Sequence, residues 1–329
     1  MKPRTLLPLL LLAAACGGKQ PAAKASAPDA AAADVPALPP GEARLAVEGG
    51  TIWYRVTGTG SGMPVVLLHG GPGYSSYYLK PLEALGNERP VVRYDQLGGG
   101  KSDRVSDTAL FNIGRFVREL DSLRSHLGYQ QMHVLGHSWG TILAVEYYRA
   151  HPERVASLTL GSAALDIPTW EKNAKRMLKS LPDSSQRAIA AAEQEGRFDS
   201  PAYQAANAEF MARYVVRHPL PADWDSTIAT LNEGIYNYMQ GPSEFTITGT
   251  LKTYNATPFL KEIKVPTLFT VGEFDEADPP TIARHARLTP GAKLVVIDSA
   301  AHITSWGNPV QMITVVRDFL RRADSARTK

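Results

Sequence analysis

Short apolar runs rich in strand-forming residues recur along the chain and constrain its fold more than any other feature of the sequence. Two helical periods lie among them, at 116–127 and 312–320, and each gathers its apolar side chains on one face. Continuously apolar strands that alternate with helices predict an α/β fold, with a mostly parallel sheet covered by helices on both faces. The predicted strands are 64–69, 90–95, 132–136, 157–161, 266–272 and 293–298, preceded by a hairpin around Gly49 and Gly50.

Residues 166–256 interrupt this alternation. Segments such as "TWEKNAKRMLKSL" and "QAANAEFMARYVV" mix polar and apolar residues as surface helices do, and the stretch has no comparable strand run. We therefore predict a helical cap, or lid, inserted between two strands of a core formed by residues 42–165 and 257–329. The chain of 329 residues, 44% of them hydrophobic, is long enough for one large α/β domain with such an insert.

The N-terminus has the layout of a secretory signal peptide. Lys2 and Arg4 precede an apolar run, and the only cysteine, Cys16, follows three alanines. The run is shorter than the roughly 20 residues that a transmembrane helix needs. Cys16 resembles the lipidated cysteine of a bacterial lipobox, although Ala13 stands where leucine is more usual; an unmodified cysteine is the alternative. We expect residues 1–16 to direct export to a membrane-anchored lipoprotein, or otherwise to a periplasmic or secreted protein.

The following segment and the overall composition exclude several classes of function. Residues 17–41 are rich in Ala and Pro and predict a disordered tether. The net charge of +3 is small and dispersed, so no nucleic-acid partner is expected. A single cysteine excludes an intrachain disulfide. His126, His133 and His137 lack the spacing of metal ligands, and we expect neither a metal nor a cofactor.

Ser138 is the centre of a G-x-S-x-G pattern that runs from Gly136 to Gly140. The strand-like "MHVL" comes directly before the pattern, and the helix-like "TILAVEYYRA" comes directly after it. The glycines permit the strained strand-to-helix turn that lifts a serine Oγ off the sheet in the α/β-hydrolase fold. The pattern and its context together predict that Ser138 is a nucleophile.

Asp275 and His302 are the predicted partners of this serine, which needs a base and an orienting acid near neutral pH. In α/β hydrolases the acid follows one late strand and the histidine follows the next. Asp275 comes after the run 266–272, and His302 comes after the run 293–298. The alternative interpretations are a helix cap for Asp275 and a surface histidine for His302.

The glycine-rich segment "HGGPG", residues 69–73, follows the first parallel strand. In this fold such a loop brings a backbone N–H close to the nucleophile, where it stabilises the developing oxyanion. We expect the backbone N–H groups of Gly71 and Trp139 to form the oxyanion hole, and His69 to brace the loop. An ordinary turn is the alternative interpretation.

Five segments in order along the chain resemble the proline iminopeptidases, α/β hydrolases that include the tricorn-interacting aminopeptidase and amino-acid amidases. The resemblance covers residues from about Leu45 to about Leu320. Two departures lie outside the predicted triad: Lys101 stands where many members have arginine, and Thr141 where glycine is common. The segments are "HGGPG", "YDQLGGGKSD", "GHSWG", "GPSEFTITGTLK" and "VGEFDEADP".

This resemblance implies release of an N-terminal residue, often proline, through a covalent acyl-enzyme. It also implies that Glu244 and Glu276 bind the free amino group of the substrate. A substrate amine has a pKa of roughly 7.7 to 8 and is largely cationic at neutral pH, so a closed site needs opposite charge beside it. Without the resemblance, a solvent-exposed charge is the simpler interpretation of Glu244.

The acidic stretch "VGEFDEADPP" is thereby divided among several predicted roles. Asp275 faces His302 and Glu276 faces the substrate, since neighbouring residues of a turn project in different directions. Glu273 is expected to face solvent, and Asp278 to cap the helix that begins at the following prolines.

Several functions remain open from the sequence. The main prediction is a serine aminopeptidase whose partner is a short peptide or amino-acid amide with a free N-terminus. An amino-acid amidase or ester hydrolase would use the same triad. A lid-covered esterase or an epoxide hydrolase fits less well, because the latter requires a carboxylate at position 138. A non-catalytic surface binding protein on a hydrolase fold is the alternative of another class.

Overall fold

The computed structural model describes residues 39–217 and 222–327. The predicted signal peptide, Cys16 and the tether as far as residue 38 lie outside the described residues. The predicted end of the tether at Gly41 is wrong by one residue, because Gly41 begins a strand and pairs with Val56. Strand pairing at Gly41 uses only backbone hydrogen bonds, so the pattern of apolar side chains could not indicate it.

The described residues form an eight-stranded sheet in the order β1-β2-β4-β3-β5-β6-β7-β8. β1 and β2 form the predicted hairpin, β2 is antiparallel to β4, and the remaining neighbours are parallel. The predicted mostly parallel α/β-hydrolase sheet is confirmed, and each predicted run coincides with a strand. The strands are β1 Gly41–Val47, β2 Gly50–Thr57, β3 Val65–Leu68, β4 Val91–Asp95, β5 Met132–His137, β6 Val155–Gly161, β7 Thr267–Gly272 and β8 Lys293–Ile297.

Helices connect the parallel strands and pack against them. α2 contacts β3, β5 and β6, α8 contacts β7 and β8, and α10 contacts β6 and β8. Short 3₁₀ segments occupy Tyr77–Asn87, Thr108–Leu110, Pro152–Arg154 and Thr257–Glu262. The α-helices are α1 Ile113–His126, α2 Trp139–Ala150, α3 Ile167–Leu178, α4 Asp183–Glu195, α5 Pro201–Tyr214, α6 Ala222–Ala229, α7 Glu233–Met239, α8 Pro279–Leu288, α9 Thr304–Gly307 and α10 Pro309–Arg327.

The cap consists of α3 to α7, which lie between β6 and β7 in the chain. Its two ends meet at one point, where Asp166 and Asn255 form an isolated antiparallel bridge. The Ile167 N–H donates to the Tyr254 carbonyl at 3.0 Å beside this bridge. The insert therefore leaves and rejoins the core beyond the C-terminal end of β6, at the edge of the sheet where β5, β7 and β8 also end.

No helix among the described residues is both long enough and apolar enough to span a membrane.

Candidate active site

Ser138 lies between β5 and α2 in a left-handed backbone conformation with φ of 55°. The surrounding turn is so tight that a Cβ on Gly136 would lie 2.2 Å from the Gly140 carbonyl oxygen. A Cβ on Gly140 would lie equally close, 2.2 Å, to the Leu68 carbonyl oxygen at the end of β3. The Ser138 N–H donates to the Gly161 carbonyl at 2.9 Å, which holds the turn against the sheet. The glycines of the pattern are thus required for the strained position of the serine.

Asp275 and His302 form a buried hydrogen-bonded pair, with Nδ1 of the imidazole 2.8 Å from Oδ1 of the carboxylate. Asp275 also accepts hydrogen bonds from the Ser162 hydroxyl at 2.6 Å and the Ala277 N–H at 2.9 Å. Burial alone would raise the pKa of Asp275, but the charge and hydrogen bond of His302 and the Ser162 hydroxyl lower it. Asp275 is therefore an ionised carboxylate that fixes the orientation of the imidazole.

Ser138 and His302 line one cavity, which places the predicted nucleophile and base side by side. Among the described residues, no hydrogen bond joins Ser138 Oγ to His302 Nε2. Nε2 instead faces Oε1 of Glu276 at 3.7 Å. Hydrogen bonds between a nucleophile and its base are often long until a substrate is bound, so this geometry is compatible with general-base catalysis.

The predicted oxyanion donors, Gly71 and Trp139, both line a cavity with Ser138. Trp139 is the first residue of α2, so its N–H has no partner within the helix. Neither backbone N–H is hydrogen-bonded to a described residue, and both can therefore donate to a substrate oxygen. His69 accepts from the Gln96 N–H at 3.0 Å through Nε2, and its Nδ1 lies 2.8 Å from the Gly70 carbonyl. These contacts brace the glycine-rich loop.

Glu244 and Glu276 are carboxylates at the same site, and Glu276 is completely buried. The Tyr236 hydroxyl donates to Glu244 Oε1 at 2.6 Å, whereas neither oxygen of Glu276 has a hydrogen-bond partner among the described residues. Burial raises the pKa of Glu244. Burial and then the charges of Glu244 and Asp275 raise the pKa of Glu276 well above its usual range. No described Lys or Arg forms an ion pair with either glutamate, so neither carboxyl group has a basic side-chain partner among the described residues.

The other two acidic side chains of this loop have structural contacts. Glu273 is exposed and accepts a hydrogen bond from the Ser299 N–H at 2.9 Å. Asp278 caps α8, because its Oδ2 accepts from the Thr281 N–H at 3.1 Å. Its other oxygen pairs with Arg176 of the cap at 2.6 Å. Both positions agree with what the sequence led us to expect.

Residues 63–309 match a family model described as the alpha/beta hydrolase fold. The proline iminopeptidase of Heyndrickxia coagulans is 43% identical to this chain over 282 residues, which cover 85% of this chain and 98% of that protein. This chain belongs to the proline iminopeptidase family. The resemblance that the sequence motifs indicated is therefore confirmed.

Two solved structures are similar to this chain over most of its length, and one of them is a proline iminopeptidase. The crystal structure of VinJ superposes with a TM-score of 0.83 at 31% identity, covering 87% of this chain and all (100%) of that one. The proline iminopeptidase of Mycobacterium smegmatis superposes with a TM-score of 0.80 at 30% identity, again covering 87% of this chain and 100% of the other. Both similarities extend across the core and the cap.

His137 has a structural role at the site through hydrogen bonds that the sequence did not indicate. Its Nε2 lies 2.8 Å from the His302 carbonyl, which can only accept, so Nε2 carries the proton. Its Nδ1 therefore accepts from the Tyr78 hydroxyl at 2.9 Å, and that oxygen accepts from the Gly70 N–H. Burial and then the charge of His302 lower the pKa of His137 to about 3. A neutral His137 thus links the oxyanion loop to the loop of the base.

The end of α5 in the cap makes a second connection that the sequence did not reveal. The Tyr214 carbonyl accepts from the backbone N–H of Glu276 at 3.3 Å and from that of His302 at 3.1 Å. The Val215 carbonyl accepts from the Ile303 N–H at 3.1 Å. These are backbone contacts between distant segments, so no residue pattern could have indicated them. The cap thereby holds the loops of the base and of the glutamate together.

No group of three or more His, Cys, Asp or Glu side chains in the described part of the chain could hold a metal ion.

Proposed function

We propose that this protein is a serine aminopeptidase that releases an N-terminal residue, proline or another small or apolar one, from short peptides. The observation that carries the proposal is a pair of carboxylates, Glu244 and Glu276, beside a serine–histidine–aspartate arrangement. No described Lys or Arg pairs with these two carboxylates, and the substrate ammonium supplies the cation. Membership of the proline iminopeptidase family supports the same assignment.

Ser138, His302 and Asp275 perform the two halves of the reaction in this proposal. Ser138 Oγ attacks the carbonyl carbon of the first residue while His302 Nε2 takes its proton and Asp275 holds the imidazole. The Gly71 and Trp139 N–H groups stabilise the oxyanion. When the tetrahedral intermediate collapses, the C–N bond breaks and His302 returns the proton to the leaving amine. Water, deprotonated by His302, then hydrolyses the ester and regenerates Ser138.

The paired glutamates restrict this chemistry to substrates with a free amine. A cationic N-terminus supplies the positive charge that these two buried carboxylates need. An acylated N-terminus would leave their charge uncompensated, and an unpaired buried charge costs about 3–5 kcal/mol. The same pair therefore converts a general acyl hydrolase into an aminopeptidase.

The proposal is tested with a serine-reactive phosphonate and a substrate panel. The phosphonate should label Ser138, and the Ser138→Ala variant should be neither labelled nor active. The panel compares the 4-nitroanilides of proline, alanine and phenylalanine with the corresponding amino-acid amides and esters. Efficient release from proline peptides and anilides supports a peptidase, whereas turnover of amides and esters alone identifies an amidase or ester hydrolase. Failure of the phosphonate to label would instead indicate a non-catalytic binding protein.

We also propose that the protein is exported and anchored to a membrane through a lipid on Cys16. The basic, apolar and small-residue segments before this cysteine support the proposal. Metabolic labelling with an alkyne fatty acid should mark the wild-type protein in the membrane fraction. The Cys16→Ala variant should lose the label, and a labelled Cys16→Ala variant would contradict the assignment.

A further inference from the structure

Two cavities flank Ser138, and each contains a different part of the catalytic machinery. We call them the His302 cavity and the Trp139 cavity, since each of these residues lines only the cavity named after it. Ser138, Gly71 and Glu244 line both. The bond that is cleaved therefore lies across Ser138, with one part of the substrate in each cavity.

The direction of proton transfer decides which part of the substrate occupies which cavity. The leaving amine must receive its proton from His302, so it lies on the side of the His302 cavity. The N-terminal residue lies on the other side of the carbonyl carbon and then occupies the Trp139 cavity, which both predicted oxyanion donors line. Glu244 lies where the two cavities meet, which suits an amine attached to the carbon next to the carbonyl.

We propose that the His302 cavity is a subsite for the residue that follows the cleaved bond and that it prefers an apolar side chain. This inference rests on the proposed aminopeptidase function and adds the substrate class to it. With the solvent space at its mouth, the cavity spans about 370 Å³. Its walls away from the catalytic groups are apolar, and they are Met211 and Val215 of the end of α5, Trp224 of α6 and Ile303 beside the base.

The lining side chains are held in place independently of any ligand. Val215, Trp224 and Ile303 are buried. The Trp224 ring packs edge-on against Trp306 with centroids 6.0 Å apart. The Ile303 N–H donates to the Val215 carbonyl, which fixes the cap side of the cavity to the core side. A substrate side chain would thus displace water from a preformed apolar wall, which favours aliphatic and aromatic groups over charged ones.

Glu244 adds a selection against acidic side chains. It is the only acidic side chain that lines the His302 cavity among the described residues, and no described Lys or Arg lines it. An aspartate or glutamate after the cleaved bond would bring a second negative charge near this carboxylate without a compensating cation. The site therefore favours apolar residues most strongly and acidic residues least.

The experiment uses the full chain and three related substrates, Pro-Leu-NH2, Pro-Gly-NH2 and Pro-Asp-NH2, with prolinamide as the reference that lacks a following residue. We expect kcat/KM for Pro-Leu-NH2 to exceed that for Pro-Gly-NH2 by about tenfold or more, as extra methylenes do in a hydrophobic pocket. Pro-Asp-NH2 should be the poorest of the three. Met211→Ser should reduce the ratio of kcat/KM for Pro-Leu-NH2 to kcat/KM for Pro-Gly-NH2 at least threefold. The apolar replacement Met211→Leu should keep the wild-type ratio.

A matched control is Val310→Ser, because Val310 is 76% exposed and lies on α10 away from the cavity. This variant should keep the wild-type ratio. A Leu-to-Gly ratio near one in the wild-type protein, together with turnover of prolinamide, would contradict the proposed subsite. It would not contradict the aminopeptidase function. An unchanged ratio in Met211→Ser would contradict the subsite as well. If Met211→Ser does not fold, the Leu-to-Gly ratio of the wild-type protein alone tests the subsite. Absence of turnover on every proline substrate would overturn both proposals.

Discussion

Asp275 and Glu276 are consecutive residues that bracket the imidazole of His302. Oδ1 of Asp275 lies 2.8 Å from Nδ1, and Oε1 of Glu276 lies 3.7 Å from Nε2. One carboxylate is fully hydrogen-bonded and the other has no hydrogen-bond partner among the described residues. The turn after β7 thus presents one carboxyl group to Nδ1 of the catalytic base and places the other near Nε2 of the same imidazole.

Replacing Glu276 by glutamine should weaken the binding of substrates with a free amine. The variant keeps the size of the side chain and removes the charge that attracts the ammonium. We expect KM for proline 4-nitroanilide at pH 7.5 to rise by about 10- to 100-fold, the equivalent of about 1.4–2.8 kcal/mol. Michaelis–Menten kinetics on this anilide and on a simple acetate ester check the prediction. An equal loss on both substrates would contradict the role in amine binding.

Replacing Asp275 by asparagine should abolish most of the turnover without preventing folding. The amide cannot stabilise the imidazolium and favours the wrong tautomer, which in serine proteases of another fold lowers kcat by about 10⁴-fold. The measurement is kcat under saturating proline 4-nitroanilide. Asp298→Asn is the matched control, since Asp298 is exposed at the end of β8. A kcat of Asp275→Asn above about a tenth of the wild-type value would be far larger than such substitutions leave in serine proteases, and it would rule out the proposed role of Asp275.

Replacing Tyr236 by phenylalanine should change the pH dependence of catalysis. The hydroxyl of Tyr236 stabilises the ionised form of Glu244, so its loss raises the pKa of Glu244 further. The acidic limb of kcat/KM should then move to higher pH, while kcat changes less. A pH profile between about 5 and 8 checks this. Tyr238→Phe on the same helix is the control, because Tyr238 is exposed. Coincident profiles for both variants would contradict the prediction.

Replacing Glu276 by glutamine should also stabilise the fold, and more so at alkaline pH. Its pKa is raised in the folded state, so the stability that it contributes is present below the ordinary carboxyl pKa and is lost as pH rises through the raised value. The variant avoids this loss. We expect Tm at pH 8 to rise by about 2 °C or more, with a smaller difference at pH 4.5. Differential scanning fluorimetry measures the shift in Tm, and Glu273→Gln is the control, since Glu273 is an exposed residue of the same loop.

The sequence predicted the parts of the site that depend on strand ends. Ser138, Asp275 and His302 each follow an apolar run, and parallel strands bring such positions to one edge of a sheet. The structure places all three there. Their roles stay predictions, as do those of Glu244 and Glu276. The assignment of the two glutamates came from family motifs and is supported by their burial without an ion pair to any described Lys or Arg.

The supporting contacts could not be predicted, because they join segments that are distant in the chain. Ser162 is an ordinary serine until the fold brings its hydroxyl to Asp275. The carbonyl of Tyr214 carries no signal in its side chain. Thr141, noted as a departure from the family pattern, connects the strand-to-helix turn at Ser138 to the loop after β6. Its hydroxyl donates to the Ser138 carbonyl at 2.6 Å and accepts from the Ala164 N–H at 3.1 Å.

The most direct test of the central claim compares proline 4-nitroanilide with its N-acetyl derivative on the wild-type protein and on Glu244→Gln. The two substrates share the acyl residue and leaving group and differ in the charge of the amine. We predict that kcat/KM for the free amine exceeds that of the acetylated form by about 10³-fold or more, and that Glu244→Gln reduces this preference at least tenfold. Equal kcat/KM values for both substrates on the wild-type protein would contradict the account.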